Sequence, residues 1–166
     1  MKDPKQLAMV QDTVWNDTRW KPHFENGVEV THCNQASLAV ANGLGCHDFD
    51  PPKGGEPYSA DELFWFFQRK DNSGKWLEKN MEDVQTLANQ GSLVFAVLDS
   101  HAMQEHHGHI VSITPGEMIE SGELNKQVPV CLNVAGAKLS GRKVELTEAF
   151  PMRHCTPRFF AWKELL

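Results

Sequence analysis

The chemistry this chain advertises rests on a cysteine and a histidine. Cys33 lies in Thr31-His32-Cys33-Asn34-Gln35, directly before an alanine-rich stretch with helical spacing. His109 opens Gly108-His109-Ile110-Val111-Ser112-Ile113, a run with the apolar character of a strand. A thiol attacks carbonyls as the thiolate, and the positive end of a helix and a nearby imidazolium are the two common ways to hold it ionised near neutral pH. The two strings therefore point to a cysteine hydrolase with Cys33 as nucleophile and His109 as general base. The backbone N–H of Cys33 is placed to donate to an oxyanion.

A free cysteine is also a small hydrophobe that is often buried for packing alone. Polar His32, Asn34 and Gln35 around Cys33 suit the edge of a cleft better than a dry core. Among eight histidines, His101, His106 and His107 fall in a polar loop, whereas His109 is anchored on a rigid element, sharing a face with Val111 and Ile113. Such a base needs a third group to fix its tautomer. Asn133, on the next predicted strand, offers an amide oxygen, or else it merely starts the Val134-Ala135-Gly136 turn; Gln35, Asn34 and Asp99 are the alternatives. Asn34 and Gln35, with Trp15 and Trp20 as stacking surfaces beside the cleft, are the expected substrate-binding residues. A zinc site built from His101, His106, His107 and His109 is the competing reading, but no zincin spacing and no completing acidic residue accompany them, so no metal or other cofactor is expected.

The elements that must position these groups follow from periodicity and punctuation. The first thirty residues read as short helical or irregular structure interrupted by Pro22, with Trp15, Trp20 and Phe24 as aromatic anchors. Ala36, Ala39 and Val40 predict a helix over 34–42, capped by Thr31 or His32 and stopped at Asn42-Gly43. A loop punctuated by Pro51-Pro52 and Gly54-Gly55 follows. Ser59-Ala60-Asp61-Glu62 is a capping box opening an apolar helix through Leu63-Phe64-Trp65-Phe66-Phe67, expected to pack deeply. A further helix is expected over 80–89. Then the period changes, and strands are predicted over 93–98, 110–114, 128–134 and 158–162, with a short helix near Thr147–Phe150. The five tryptophans, Trp15, Trp20, Trp65, Trp76 and Trp162, are mostly core anchors on this reading. Helices first and antiparallel strands afterwards is the α+β pattern, in one domain over 1–166.

Composition narrows the function. Acidic residues outnumber basic ones, 22 to 16, and Lys and Arg do not cluster, so a nucleic-acid partner is not expected. No apolar run is long enough to predict a membrane span, and Met1-Lys2-Asp3-Pro4-Lys5-Gln6 lacks the layout of a secretory signal, so synthesis in the cytoplasm is expected. Cys33, Cys46, Cys131 and Cys155 show no C-x-x-C spacing and are read as free thiols.

The order of these strings resembles the NlpC/P60 and CHAP group of peptidoglycan-cleaving cysteine hydrolases in the papain-like superfamily. Thr31-His32-Cys33-Asn34-Gln35 is similar to their nucleophile segment. Gln85-Thr86-Leu87-Ala88-Asn89-Gln90-Gly91-Ser92-Leu93-Val94 followed by Gly108 to Gly116 resembles their helix, core strand and histidine strand. Asn133-Val134-Ala135-Gly136-Ala137 and Glu148-Ala149-Phe150 are similar to the closing segment. The resemblance runs from about Trp15 to Trp162. It implies a papain-like α+β fold with the nucleophile at a helix N-terminus against an antiparallel sheet. It also implies cleavage of an amide in a peptidoglycan stem peptide or cross-link by a monomer. Delivery to the wall would be as a phage lytic enzyme, or as a secreted antibacterial effector whose immunity protein plugs the cleft. The alternatives are a non-catalytic binding module of the same fold and an amidase acting on a protein or lipid amide.

Overall fold

Ten strands and six helices are built from residues 3–51, 55–72, 74–136 and 139–165, the parts of the chain that the computed structural model describes. The order is α1 (Pro4–Asn16), β1 (His23–Glu25), β2 (Val28–Val30), α2 (Cys33–Gly43), α3 (Ala60–Gln68), β3 (Trp76–Lys79), α4 (Met81–Asn89), β4 (Val94–Leu98), α5 (Ser100–Met103), β5 (His109–Ile113), β6 (Ile119–Ser121), β7 (Lys126–Val128), β8 (Val130–Asn133), β9 (Gly141–Glu145), α6 (Leu146–Ala149) and β10 (Arg158–Trp162). Six strands form one antiparallel sheet in the order β3-β10-β4-β5-β8-β9, and β1-β2 and β6-β7 are separate hairpins. The architecture is α+β, as expected. No helix among the described residues is long and apolar enough to cross a membrane.

The central strands are the continuous apolar runs of the sequence: every residue of β4 and β5 is buried, as strands covered on both faces require. α3 starts at its expected capping box, with Glu62 N–H donating to Ser59 Oγ and Ser59 N–H to Glu62. It lays Phe67 nearly parallel to Phe160, centroids 5.0 Å apart, and 4.8 Å from Trp76. Phe49 and Phe95 complete this aromatic cluster, where truncating a ring costs about 3–5 kcal/mol.

Buried amides tie the other helices to the sheet. Gln11 of α1 donates through Nε2 to Ser112 Oγ and the Ile113 carbonyl, both at 2.9 Å. Gln85 of α4 accepts from Val130 N–H at 3.0 Å and donates to the Thr114 carbonyl at 2.8 Å. These bonds satisfy backbone groups where β5 ends and β8 begins, which fixes the strands that carry His109 and Asn133.

Several expectations need correction. The first thirty residues hold a full helix, α1, begun by Asp3 accepting from Lys5 N–H with proline in the first turn, and then a hairpin. Phe24 is 71 % exposed and anchors nothing. Pro129, which lacks an N–H, divides the predicted 128–134 strand into the end of β7 and β8. Trp76 and Trp162 are core residues, but Trp65 points out of α3 at 60 % exposure. The Pro52 to Gly54 part of the Pro-Gly loop lies outside the described residues.

Candidate active site

Cys33 is the first residue of α2. His32 takes the N-cap position as the sequence suggested, but its side chain makes no capping bond. Its Nδ1–H instead donates to Gln35 Oε1 at 2.9 Å, and its ring stacks on His23 of β1, centroids 5.2 Å apart. The first N–H groups of the helix are therefore left to the site, together with the positive end of the helix.

His109 begins β5, opposite Leu98 on β4. Gly108 before it has a specific reason to lack a side chain: a Cβ there would meet the Leu98 carbonyl at 2.7 Å and Asp61 Oδ1 at 2.6 Å. That close approach brings the strand start under α3, where Asp61 also accepts from Ser100 N–H at 2.6 Å. On the far side, Phe150 packs on the imidazole with centroids 5.4 Å apart.

Asn133 ends β8, next to an irregularity in its pairing with β9, and it is fully buried. Its Nδ2 donates to the Leu139 carbonyl at 2.8 Å, which leaves Oδ1 for His109 Nε2 at 2.7 Å. These two bonds settle both orientations by elimination. The amide nitrogen already has its carbonyl, so the oxygen must face the ring, and the ring must carry its proton on Nε2 to donate. Nδ1 is then the nitrogen free to accept from the Cys33 thiol.

The electrostatics agree with that geometry. Burial opposes the Cys33 thiolate, but the charge of His109, a hydrogen bond from it, and the backbone N–H groups of Ile110 and Asn34 outweigh it, so the thiol ionises below its ordinary range. For His109, burial works against the imidazolium, while the Cys33 charge and hydrogen bonds to Cys33 and Asn133 outweigh it and raise its pKa. Both shifts run toward a thiolate beside an imidazolium. The other cysteines, all free thiols, go the opposite way. Burial pushes Cys46 up to about 12, and burial beside acidic groups raises Cys131 and Cys155.

Cys33 is 8 % exposed and opens onto a groove of about 340 Å³. Glu29, Val30 and Thr31 line one part of it, Ser59 and Ala60 another, and His107 and Gly108 a third. Asn34 borders the groove as expected, although its Nδ2 is committed to the Tyr58 carbonyl at 2.7 Å. Gln35 serves His32. Asp99, the last alternative partner for the histidine, caps α5 by accepting from Ala102 N–H at 2.9 Å.

Trp15 and Trp20 do not border this groove. They pack with Val14, Lys21, Pro22 and Val134, and the Lys21 ammonium sits 3.3 Å from the centre of the Trp15 ring. Among the described residues, no group of three or more His, Cys, Asp and Glu side chains is placed to hold a metal ion.

Sequence reasoning missed the Glu29 wall. The signal was Asn26-Gly27, both with positive φ, 50° and 81°, the conformation a tight two-residue hairpin demands. It turns β1 back into β2 and delivers Glu29 to Thr31 beside Cys33. No protein-family model matches this chain, and no curated protein sequence does.

Proposed function

We propose that the protein is a papain-like cysteine hydrolase that cleaves an amide bond of bacterial peptidoglycan, within or beside the stem peptide. The observation that carries the reading is the held imidazole: Asn133 fixes Nε2–H at 2.7 Å and leaves Nδ1 for a thiol at a helix N-terminus.

His109 holds the proton that Cys33 gives up. The thiolate attacks the amide carbonyl in the groove, forming a C–S bond, and the negative oxygen is met by the Cys33 N–H at the start of α2. As the C–N bond breaks, the imidazolium gives its proton to the leaving amine. A water that loses a proton to His109 then attacks the thioester, and the thiolate is regenerated as the acid departs. The choice of peptidoglycan rests on the ordered resemblance of the cysteine, histidine and asparagine segments to the wall-cleaving group. In that role the protein acts at the wall, delivered as a phage enzyme or as a secreted effector with an immunity partner.

The test is digestion of purified sacculi followed by mass spectrometry of the released fragments. The wild-type protein should generate new amine and carboxyl ends at one type of amide, and a folded Cys33→Ala variant should release none. Equal release by the variant would overturn the assignment.

A further inference from the structure

A second depression, of about 680 Å³, surrounds Trp65. α3 buries Leu63, Phe64, Phe66 and Phe67, yet leaves Trp65 60 % exposed. The indole is braced edge-on against Phe64, centroids 5.4 Å apart at an angle of 86°, so it offers a supported flat face. Tyr58, Glu62, Gln68 and Arg69 surround it. The capping box uses Glu62 Oε2, and the Arg69 guanidinium is 61 % exposed, 3.9 Å from Asp71. A flat apolar face rimmed by a carboxylate, a phenol and a guanidinium suits a sugar ring, which presents a C–H face for stacking and hydroxyl and amide groups that need donors and acceptors together.

The two depressions share a wall. Ser59 and Ala60 line the Cys33 groove, while Tyr58 and Glu62 line the Trp65 depression. The bond from Asn34 to the Tyr58 carbonyl pins that wall to the residue after the nucleophile. A ligand filling both depressions must cross the Tyr58–Ala60 segment, so it must be extended and must change character, from an amide at the sulfur to a stackable ring at the indole.

We infer that the Trp65 depression is a glycan subsite, which takes the amino-sugar strand of the substrate while the attached peptide lies at Cys33. This rests on the proposed peptidoglycan reading. Binding away from the reacting amide would then position it.

The test titrates the full-length protein with tetra-N-acetylchitotetraose, a sugar chain without peptide, by tryptophan fluorescence and calorimetry. In parallel, rates are compared on sacculi and on a sugar-free stem peptide. Saturable binding is expected, weakened about tenfold or more in Trp65→Ala and largely retained in Trp65→Phe. The ratio of sacculus rate to peptide rate should fall at least about fivefold in Trp65→Ala, mainly through a higher half-saturating sacculus concentration. Absence of binding, binding undiminished in Trp65→Ala, or an unchanged ratio would overturn the subsite. So would a concentration-dependent dimer that Trp65→Ala dissolves, which would assign this face to self-association. Glycan binding with neither substrate cleaved would remove the hydrolase reading and leave the sugar platform, whereas peptide cleavage without glycan binding would do the reverse.

Discussion

Cys33 and Cys131 carry the same thiol, are both buried, and both lie against β5: one through α2, the other as the cross-strand partner of Ile113. Burial raises the pKa of each. At Cys131 the next influence is the Glu148 carboxylate, which raises it further. At Cys33 it is an imidazole, followed by two backbone N–H groups, and the shift reverses. The direction of the shift is therefore set by what faces the sulfur rather than by how deeply it sits. Within two residues of one strand, β8 carries Cys131, whose thiol is pushed up, and Asn133, the amide that holds the His109 ring.

The most direct way to break the contrast is to make Cys33 resemble Cys131. In His109→Ala the thiol keeps its burial and loses the charge and hydrogen bond that lowered its pKa. Alkylation of Cys33 by iodoacetamide near neutral pH should fall on the order of a hundredfold or more, with amide hydrolysis lost by about 10²–10⁴-fold. Peptide mapping of the labelled protein checks this, and in the wild type it should find label on Cys33 and not on Cys46 or Cys131.

A milder intervention is Asn133→Ala, which keeps both reacting groups and frees the ring. Activity should drop about 10–100-fold, the scale seen when a partner that orients a histidine is removed. The pH profile gives a sharper readout. The reactive pair is populated above the lowered thiol pKa and below the raised imidazole pKa, so the acid limb of kcat/KM reports the pair gaining a proton on sulfur and the alkaline limb reports it losing one from the ring. Asn133 raises the His109 pKa, so its removal should move the alkaline limb to lower pH. A profile that only scales in height would show that the asparagine is structural.

The smallest effect tests the other half of the contrast. Cys131→Ala should retain activity within about twofold and lose about 1 kcal/mol of stability from a small cavity, measured by urea unfolding. A large loss of activity would mean that Cys131 is not a bystander.

Much of this arrangement was legible in the sequence because it depends on local signals. Apolar runs marked β4, β5 and β10, the capping box marked α3, and alternation along β5 put His109 with Val111 and Ile113. What could not be read depends on contacts distant in the chain. β3 owes its place to pairing with β10, from Trp76 opposite Trp162 to Lys79 opposite Phe159, with an exposed two-pronged ion pair from Arg158 to Glu78, 2.6 and 2.7 Å, and no pattern within Trp76–Lys79 announces it. The polar residues of β9 conceal a strand that owes its place to β8. Aromatic residues follow the same logic: composition says that a tryptophan or phenylalanine is worth burying, and only packing says whether room exists, so Trp65 and Phe24 stand outward against that expectation. From sequence Asn133 is one of several alternatives, and what singles it out is the carbonyl of Leu139, six residues on, which occupies its nitrogen.

The strand order has a consequence for biosynthesis. β10 is the latest strand to be translated, yet it lies between β3 and β4, both made much earlier. Until it inserts, the nascent chain holds two unpaired strand edges beside an unfinished aromatic core, with Phe67 still waiting for Phe160 and Trp76 for its cross-strand partner Trp162. Maturation thus hinges on a late zippering event. A ribosome that stops short of Arg158 would release a polypeptide carrying Cys33, His109 and Asn133 without the keystone that makes it a stable body, fit for quality-control proteases rather than for work.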